Sequence, residues 1–122
     1  MKISVLLPYK ENFSPVYPGA VSLFVNDTIN VSKFKKHVTI YGNTDYKKIF
    51  KLKYHNIPLS KLRFLRFTSQ SKKYIKEFSK IEKNKPSELI EIHNRPNYLF
   101  DLVGLIGKRN YFLYFHNDPL TM

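Results

Sequence analysis

Two histidines stand where chemistry could be done. His93 opens the run His93-Asn94-Arg95-Pro96, and His116 opens His116-Asn117-Asp118-Pro119. Each run follows directly on a short apolar segment, residues 89–92 in one case and 111–115 in the other. An apolar segment that stops at polar residues reads as a buried strand ending in a loop. Both His-Asn pairs then sit at strand carboxyl ends, the edge at which open parallel sheets bind ligands. A histidine there can orient a hydroxyl, act as a base or contact a phosphate. The Arg95 guanidinium can pair with a phosphate or a carboxylate. His116 and Asp118 on one loop point to a polar ligand site. Two His and one Asp without a clear further ligand fall short of a metal set, so no metal is expected. Structural roles stay open at the same positions. His93 could cap its strand, Arg95 could bind Glu91 or Asp101, and Asp118 before Pro119 could cap a following helix.

The elements that must position these residues alternate. Strands are expected at 2–7, 37–41, 50–57, 89–92 and 111–115, the third being more polar, as suits a sheet edge. Helical spacing appears at 20–31, at 60–81 with a break near 68–69, and at 97–106 after Pro96 and before Gly107. Ser69 or Ser71 would cap the second piece of the middle helix. Strands alternating with helices predict an α/β fold, a doubly wound parallel sheet with helices on both faces. Right-handed crossovers favour the strand order 3-2-1-4-5. The switch point then lies between the first and fourth strands. The loop at 8–19, the His93 loop and the His116 loop converge there.

The loop at 8–19 lacks the Gly-x-Gly-x-x-Gly dinucleotide fingerprint and the P-loop, and no Ser nucleophile elbow is present. Only Gly19 precedes the first helix. It marks either an anion site at the helix N-terminus or a tight turn. His37 and His55 fall in or beside predicted strands and are assigned no role.

Composition narrows the classes. A chain of 122 residues, 43% apolar, makes one domain with a core. With no Cys, a disulfide framework and a thiolate metal site are both excluded. The net charge of +12 favours acidic partners: nucleic acid, anionic headgroups or phosphorylated substrates. Lys far outnumbers Arg, and Arg63, Arg66, Arg95 and Arg109 are too few to favour base-specific nucleic-acid reading. The N-terminus is too short and too soon interrupted for a signal peptide, and no apolar run approaches the roughly 20 residues of a bilayer span. The expected place is the cytoplasm, with peripheral attachment to the inner face of the plasma membrane open to it.

The same residues carry a resemblance. The chain resembles the N-terminal domain of retaining glycosyltransferases of family 4, which have the GT-B fold. The matching points are the opening Lys2-Ile3-Ser4-Val5-Leu6-Leu7-Pro8, the segment Pro18-Gly19-Ala20, Glu91-Ile92-His93-Asn94-Arg95-Pro96, and Phe115-His116-Asn117-Asp118-Pro119-Leu120-Thr121-Met122. The last two look like a subgroup that assembles lipopolysaccharide and other cell-surface glycans. The resemblance implies a Rossmann-like domain over 1–122 that forms the acceptor side of the enzyme. It implies a C-terminal donor-binding domain that is absent here, because the chain stops after the second His-Asn pair with no closing helix. The fragment alone is then expected to be inactive.

In this reading the partners are a nucleotide-sugar donor and a glycan or lipid-linked acceptor, with no cofactor. His116 would stand beside the reacting sugar as the catalytic residue. Gly19 would lie near the donor diphosphate, although the family often has two adjacent Gly there and this chain has Pro18-Gly19. His93, Asn94, Arg95, Asn117 and Asp118 would line the acceptor side. The basic region at 60–85, with Phe64, Phe67, Tyr74 and Phe78, would face an anionic membrane or else pack as an ordinary amphipathic helix. The competing expectation is a stand-alone flavodoxin-like module that binds a phosphorylated ligand or nucleic acid.

Overall fold

The computed structural model describes residues 1–59 and 69–116. In chain order the elements are β1 (Ile3–Leu6), α1 (Ala20–Asn30), a 3₁₀ turn (Lys35–His37), β2 (Val38–Gly42), β3 (Tyr54–Asn56), α2 (Gln70–Asn84), β4 (Leu89–His93), α3 (Pro96–Ile106) and β5 (Tyr111–Tyr114). The strands form one sheet in the order β3-β2-β1-β4-β5, and every pairing is parallel. The fold is α/β with the expected order and the switch point between β1 and β4. A flavodoxin-like sheet has the order 2-1-3-4-5, with the first strand between the second and third. Here β1 lies between β2 and β4, so the flavodoxin-like expectation is corrected to a Rossmann-like order.

Alternation along β1 builds both cores. Val5 and Leu7 point one way, into a cluster with Val21, Val25 and Ile29 of α1 and Ile40 of β2. Leu6 points the other way, into a cluster with Tyr74, Ile75 and Phe78 of α2 and Tyr98 and Leu102 of α3. A central strand buried on both faces must read as a continuous apolar run, as this one does. The ends of the helices follow local chemistry. The Ser69 side chain accepts from the Lys72 backbone N–H at 3.2 Å and caps α2. Pro96 opens α3, where a missing N–H costs nothing, and Gly107 closes it with φ 77°.

Several boundaries differ from expectation. The third strand shrinks to Tyr54–Asn56, because only this stretch pairs with β2, while Phe50 and Leu52 turn into the core beside α1. His37 belongs to the 3₁₀ turn, and Gly42 continues β2 instead of stopping it. The first half of the predicted middle helix, with Phe64 and Phe67, lies outside the described residues. Its second half is α2, and Tyr74 and Phe78 are both fully buried in the core. These two aromatics are therefore not membrane-facing. The α2 exterior presents lysines, of which Lys72 pairs with Asp101 and Lys80 with Glu77. No helix among the described residues is long and apolar enough to cross a membrane.

At the amino edge of the sheet, a buried polar knot ties α2 to β1. The Glu82 carboxylate, with no exposure, accepts from Ser4 Oγ at 2.7 Å, Ser87 Oγ at 2.7 Å and the Ser87 N–H at 2.9 Å. Lys2 Nζ at 4.0 Å and Arg109 Nη1 at 3.9 Å supply positive charge from the rim. The loop after β1 is equally tied down at the other edge. The Tyr9 N–H donates to Tyr98 Oη at 3.0 Å, the Phe13 N–H donates to Thr44 Oγ1 at 3.0 Å, and the Phe13 ring is fully buried.

Candidate functional site

β4 and β5 pair so that His93 stands beside Tyr114, and the two rings stack at 5.5 Å. Two residues later the chain brings His116 back over His93. The rings meet through His93 Nδ1 and His116 Nε2 at 2.8 Å, a hydrogen-bond distance. Asn94 makes this return possible. It adopts φ 59°, a left-handed conformation that Asn tolerates better than most residues. Its N–H donates to the Tyr114 carbonyl at 2.7 Å, and its Oδ1 accepts from the His116 N–H at 3.3 Å. The Phe24 ring of α1 closes the site edge-on to His116 at 4.9 Å.

The proton positions follow from the neighbours. His93 Nε2 is buried without a hydrogen-bond partner, and Glu91 Oε2 lies 3.6 Å away. That is too long for a good hydrogen bond but close enough for the carboxylate to favour a proton on Nε2. With the proton on Nε2, His93 Nδ1 is the acceptor and His116 Nε2 the donor of their shared hydrogen bond. Burial, and after it the neighbouring His93, holds the His116 imidazole below its usual 6.5, against an opposing pull from Glu11 and Glu91. A neutral His116 is a hydrogen-bond acceptor and a base at neutral pH. Two imidazole nitrogens bound to one tetrahedral metal would stand about 3.3 Å apart with both lone pairs aimed at it. These two face each other instead.

The lowered value has a consequence for stability. Above the unfolded value of about 6.5, His116 is neutral in both states and contributes no pH dependence. As pH falls through 6.5 the unfolded chain takes up a proton that the folded chain refuses. Stability therefore falls until the pH passes below the lowered folded value. The urea midpoint is expected to drop more steeply between about pH 7.5 and 5.5, about one unit either side of the unfolded value, in the native protein than in His116→Gln. Parallel curves would remove this assignment.

At the N-terminus of α1 the structure places a carboxylate. Glu11 Oε1 accepts from the Ser22 N–H at 2.9 Å, in the first turn of the helix. Gly19 is the N-cap residue and has no side chain to do this, so Glu11 performs the capping from eight positions upstream. A Cβ on Gly19 would run into the Glu11 carboxylate. The place that the resemblance gives to a donor phosphate is thus filled by the protein's own anion, and a phosphate would reach it only in exchange with Glu11. Gly19 has φ −72°, which alanine adopts freely, so its cost lies in that clash alone. Gly19→Ala is expected to lower stability by about 1–2 kcal/mol, the worth of a cap. In a Glu11→Ala background the same change should cost almost nothing. Equal costs in both backgrounds, read from urea unfolding, would show that the clash is not the cause.

The sequence-predicted residues divide accordingly. His93 and His116 are brought together, with Asn94 as the latch between their loops. His93 is only 2% exposed, so it does not line an open surface, contrary to the acceptor-side place the resemblance gives it. Arg95 is exposed, and its Nη1 donates to the Asn94 carbonyl at 2.8 Å. It does not take Glu91 or Asp101, which face His93 and Lys72. Asn117 and Asp118 lie outside the described residues. Glu91, Glu11, Phe24 and Tyr114 were not singled out by sequence reasoning as site residues. The signal for Glu91 was available: two residues before His93 on a strand, it must share that face. Nothing local could have found Glu11.

Set against known proteins, the chain matches no protein-family model, no curated protein and no solved structure. The site must speak through its own geometry.

Proposed function

We propose that this chain is the acceptor-side, Rossmann-like part of a GT-B glycosyltransferase. The enzyme would move a sugar from a nucleotide-sugar donor to a hydroxyl of a cell-surface glycan or lipid-linked acceptor. The observation that carries this reading is the hydrogen-bonded His93–His116 pair at the switch-point edge, with Glu91 behind it. With His116 held neutral and its Nε2 donating to His93, Nδ1 is the nitrogen suited to accept the hydrogen bond of a sugar hydroxyl beside the reacting carbon. The motif resemblance in the His93 and His116 runs supports the same assignment. Exposed Arg95, at the start of α3, is suited to an acceptor that carries a phosphate or carboxylate.

The donor diphosphate is the weaker part of the fit on this chain, because Glu11 holds the N-terminus of α1. The reading accordingly gives most donor contacts to a second domain. The test is transfer from labelled nucleotide sugars to cell-envelope acceptors by the native gene product purified from source cells. Transfer of one sugar is expected. Failure with every common uridine and guanosine diphosphate sugar would overturn the reading.

A further inference from the structure

Among the described residues, a group of lysines lies at the edge opposite the histidine pair. In a parallel sheet every helix-to-strand connection lies at the amino edge, and here those connections carry lysines. Two open cavities lie on opposite faces of β2, one on the α2 side and one on the α1 side, and share Lys53 at the sheet edge. One, of about 440 Å³, is also lined by Lys2 and Lys85 over the Tyr41 ring; the other, of about 390 Å³, by Lys35, Lys36 and Lys51 over Val38 and Ile40. Among the described residues, no carboxylate lies within ion-pair distance of Lys35, Lys36, Lys51 or Lys53.

The turn after α1 adds a second, independent feature. Val31 is 86% exposed and Phe34 42% exposed, with Lys33, Lys35 and Lys36 interleaved. The turn is held in shape. The Ser32 N–H donates to the Ile29 carbonyl at 3.0 Å, the Phe34 N–H to Ser32 Oγ at 3.1 Å, and the His37 N–H to the Phe34 carbonyl at 2.8 Å. Two exposed apolar side chains are thus carried on a fixed turn beside Lys33, Lys35 and Lys36, with Lys33 Nζ 5.3 Å from the centre of the Phe34 ring.

We infer that this amino-edge pole is a docking surface for an anionic lipid bilayer, with Val31 and Phe34 entering the interface and the lysines meeting the headgroup phosphates. Charge alone would suit any polyanion. An exposed valine gains nothing from a phosphodiester backbone but gains from an acyl boundary. Lysines serve diffuse headgroup charge, whereas sequence-reading sites favour the arginine fork. Docking by this pole leaves the carboxyl edge, with His93 and His116, uncovered, and it does not depend on the reaction proposed above.

The experiment is flotation of the purified native protein with vesicles of phosphatidylcholine, alone or with phosphatidylglycerol. Binding is expected only with phosphatidylglycerol. Each lysine removed should weaken partitioning about fivefold, so K35Q/K36Q/K53Q should lose about a hundredfold. Val31→Asp, a change at an exposed position, should weaken it by about tenfold with the circular dichroism spectrum unchanged. The triple K72Q/K76Q/K80Q on α2 removes the same charge and should lose far less. Equal losses from the two triples, unchanged binding by Val31→Asp, or tighter binding to a single-stranded oligonucleotide than to the vesicles would each overturn the proposal.

Discussion

Under the glycosyltransferase function proposed above, His116→Gln is expected to lower the rate of sugar transfer by about 10²–10⁴-fold, the usual worth of one positioned proton-transfer group. Glutamine can keep the contact that His116 Nε2 makes to His93, so the loop should stay in place while Nδ1 disappears. The loss should therefore fall on kcat with KM little changed. The pH profile should carry the signature of a histidine held low by burial and by a neighbouring imidazole. Transfer should fall on the acid side as His116 takes up a proton, and this limb should be missing from the residual activity of His116→Gln. Glu91 pulls the His116 value upward. Glu91→Gln should therefore move the acid limb to lower pH, an effect that a purely structural role for Glu91 would not produce. A rate within threefold of native for His116→Gln would remove the residue from the chemistry.

Glu82→Ala is expected to cost about 3–5 kcal/mol of folding stability, a large part of what a domain of this size has. The reason is the number of groups that lose this acceptor together, with only the 2.6 Å Ser4 Oγ–Ser87 Oγ contact left between the two hydroxyls. Ser4 Oγ, Ser87 Oγ and the Ser87 N–H all donate to this one buried carboxylate. Lys2 and Arg109 would also lose the charge they face. A buried donor left without an acceptor costs about 1–3 kcal/mol each. Glu82→Gln keeps an acceptor oxygen in place and should cost clearly less. Chemical unfolding followed by circular dichroism measures both, and a loss below about 1 kcal/mol for the alanine variant would show that water replaces the carboxylate.

The strands that carry the site were legible because they are short apolar runs with sharp ends. Residues 89–92 and 111–115 stop at polar loops, and β4 and β5 lie there within a residue at each end. The third strand was harder to place. His55 and Asn56 are polar and exposed and Tyr54 is half-buried, and pairing with β2, not local preference, selects Tyr54–Asn56. The middle helix was legible as an amphipathic pattern, but its aromatics were ambiguous. Periodicity places Tyr74 and Phe78 on one face, and only packing shows that this face is the core.

Sequence alone determined the alternation of elements, the parallel sheet with β1 at its centre, and the delivery of His93 and His116 to one edge. Each follows from local periodicity and from the handedness of crossovers, which act within and between neighbouring elements. Only the tertiary structure decided what those residues touch. The meeting of His93 Nδ1 with His116 Nε2 depends on the β4–β5 register and on the left-handed Asn94. The Glu11 carboxylate at the N-terminus of α1, where the resemblance would put a donor phosphate, depends on the course of a loop that is pinned by Tyr98 and Thr44, far away in the chain. Such contacts join residues whose separation in sequence carries no periodic signal, so they exist only once the sheet has brought its edges together.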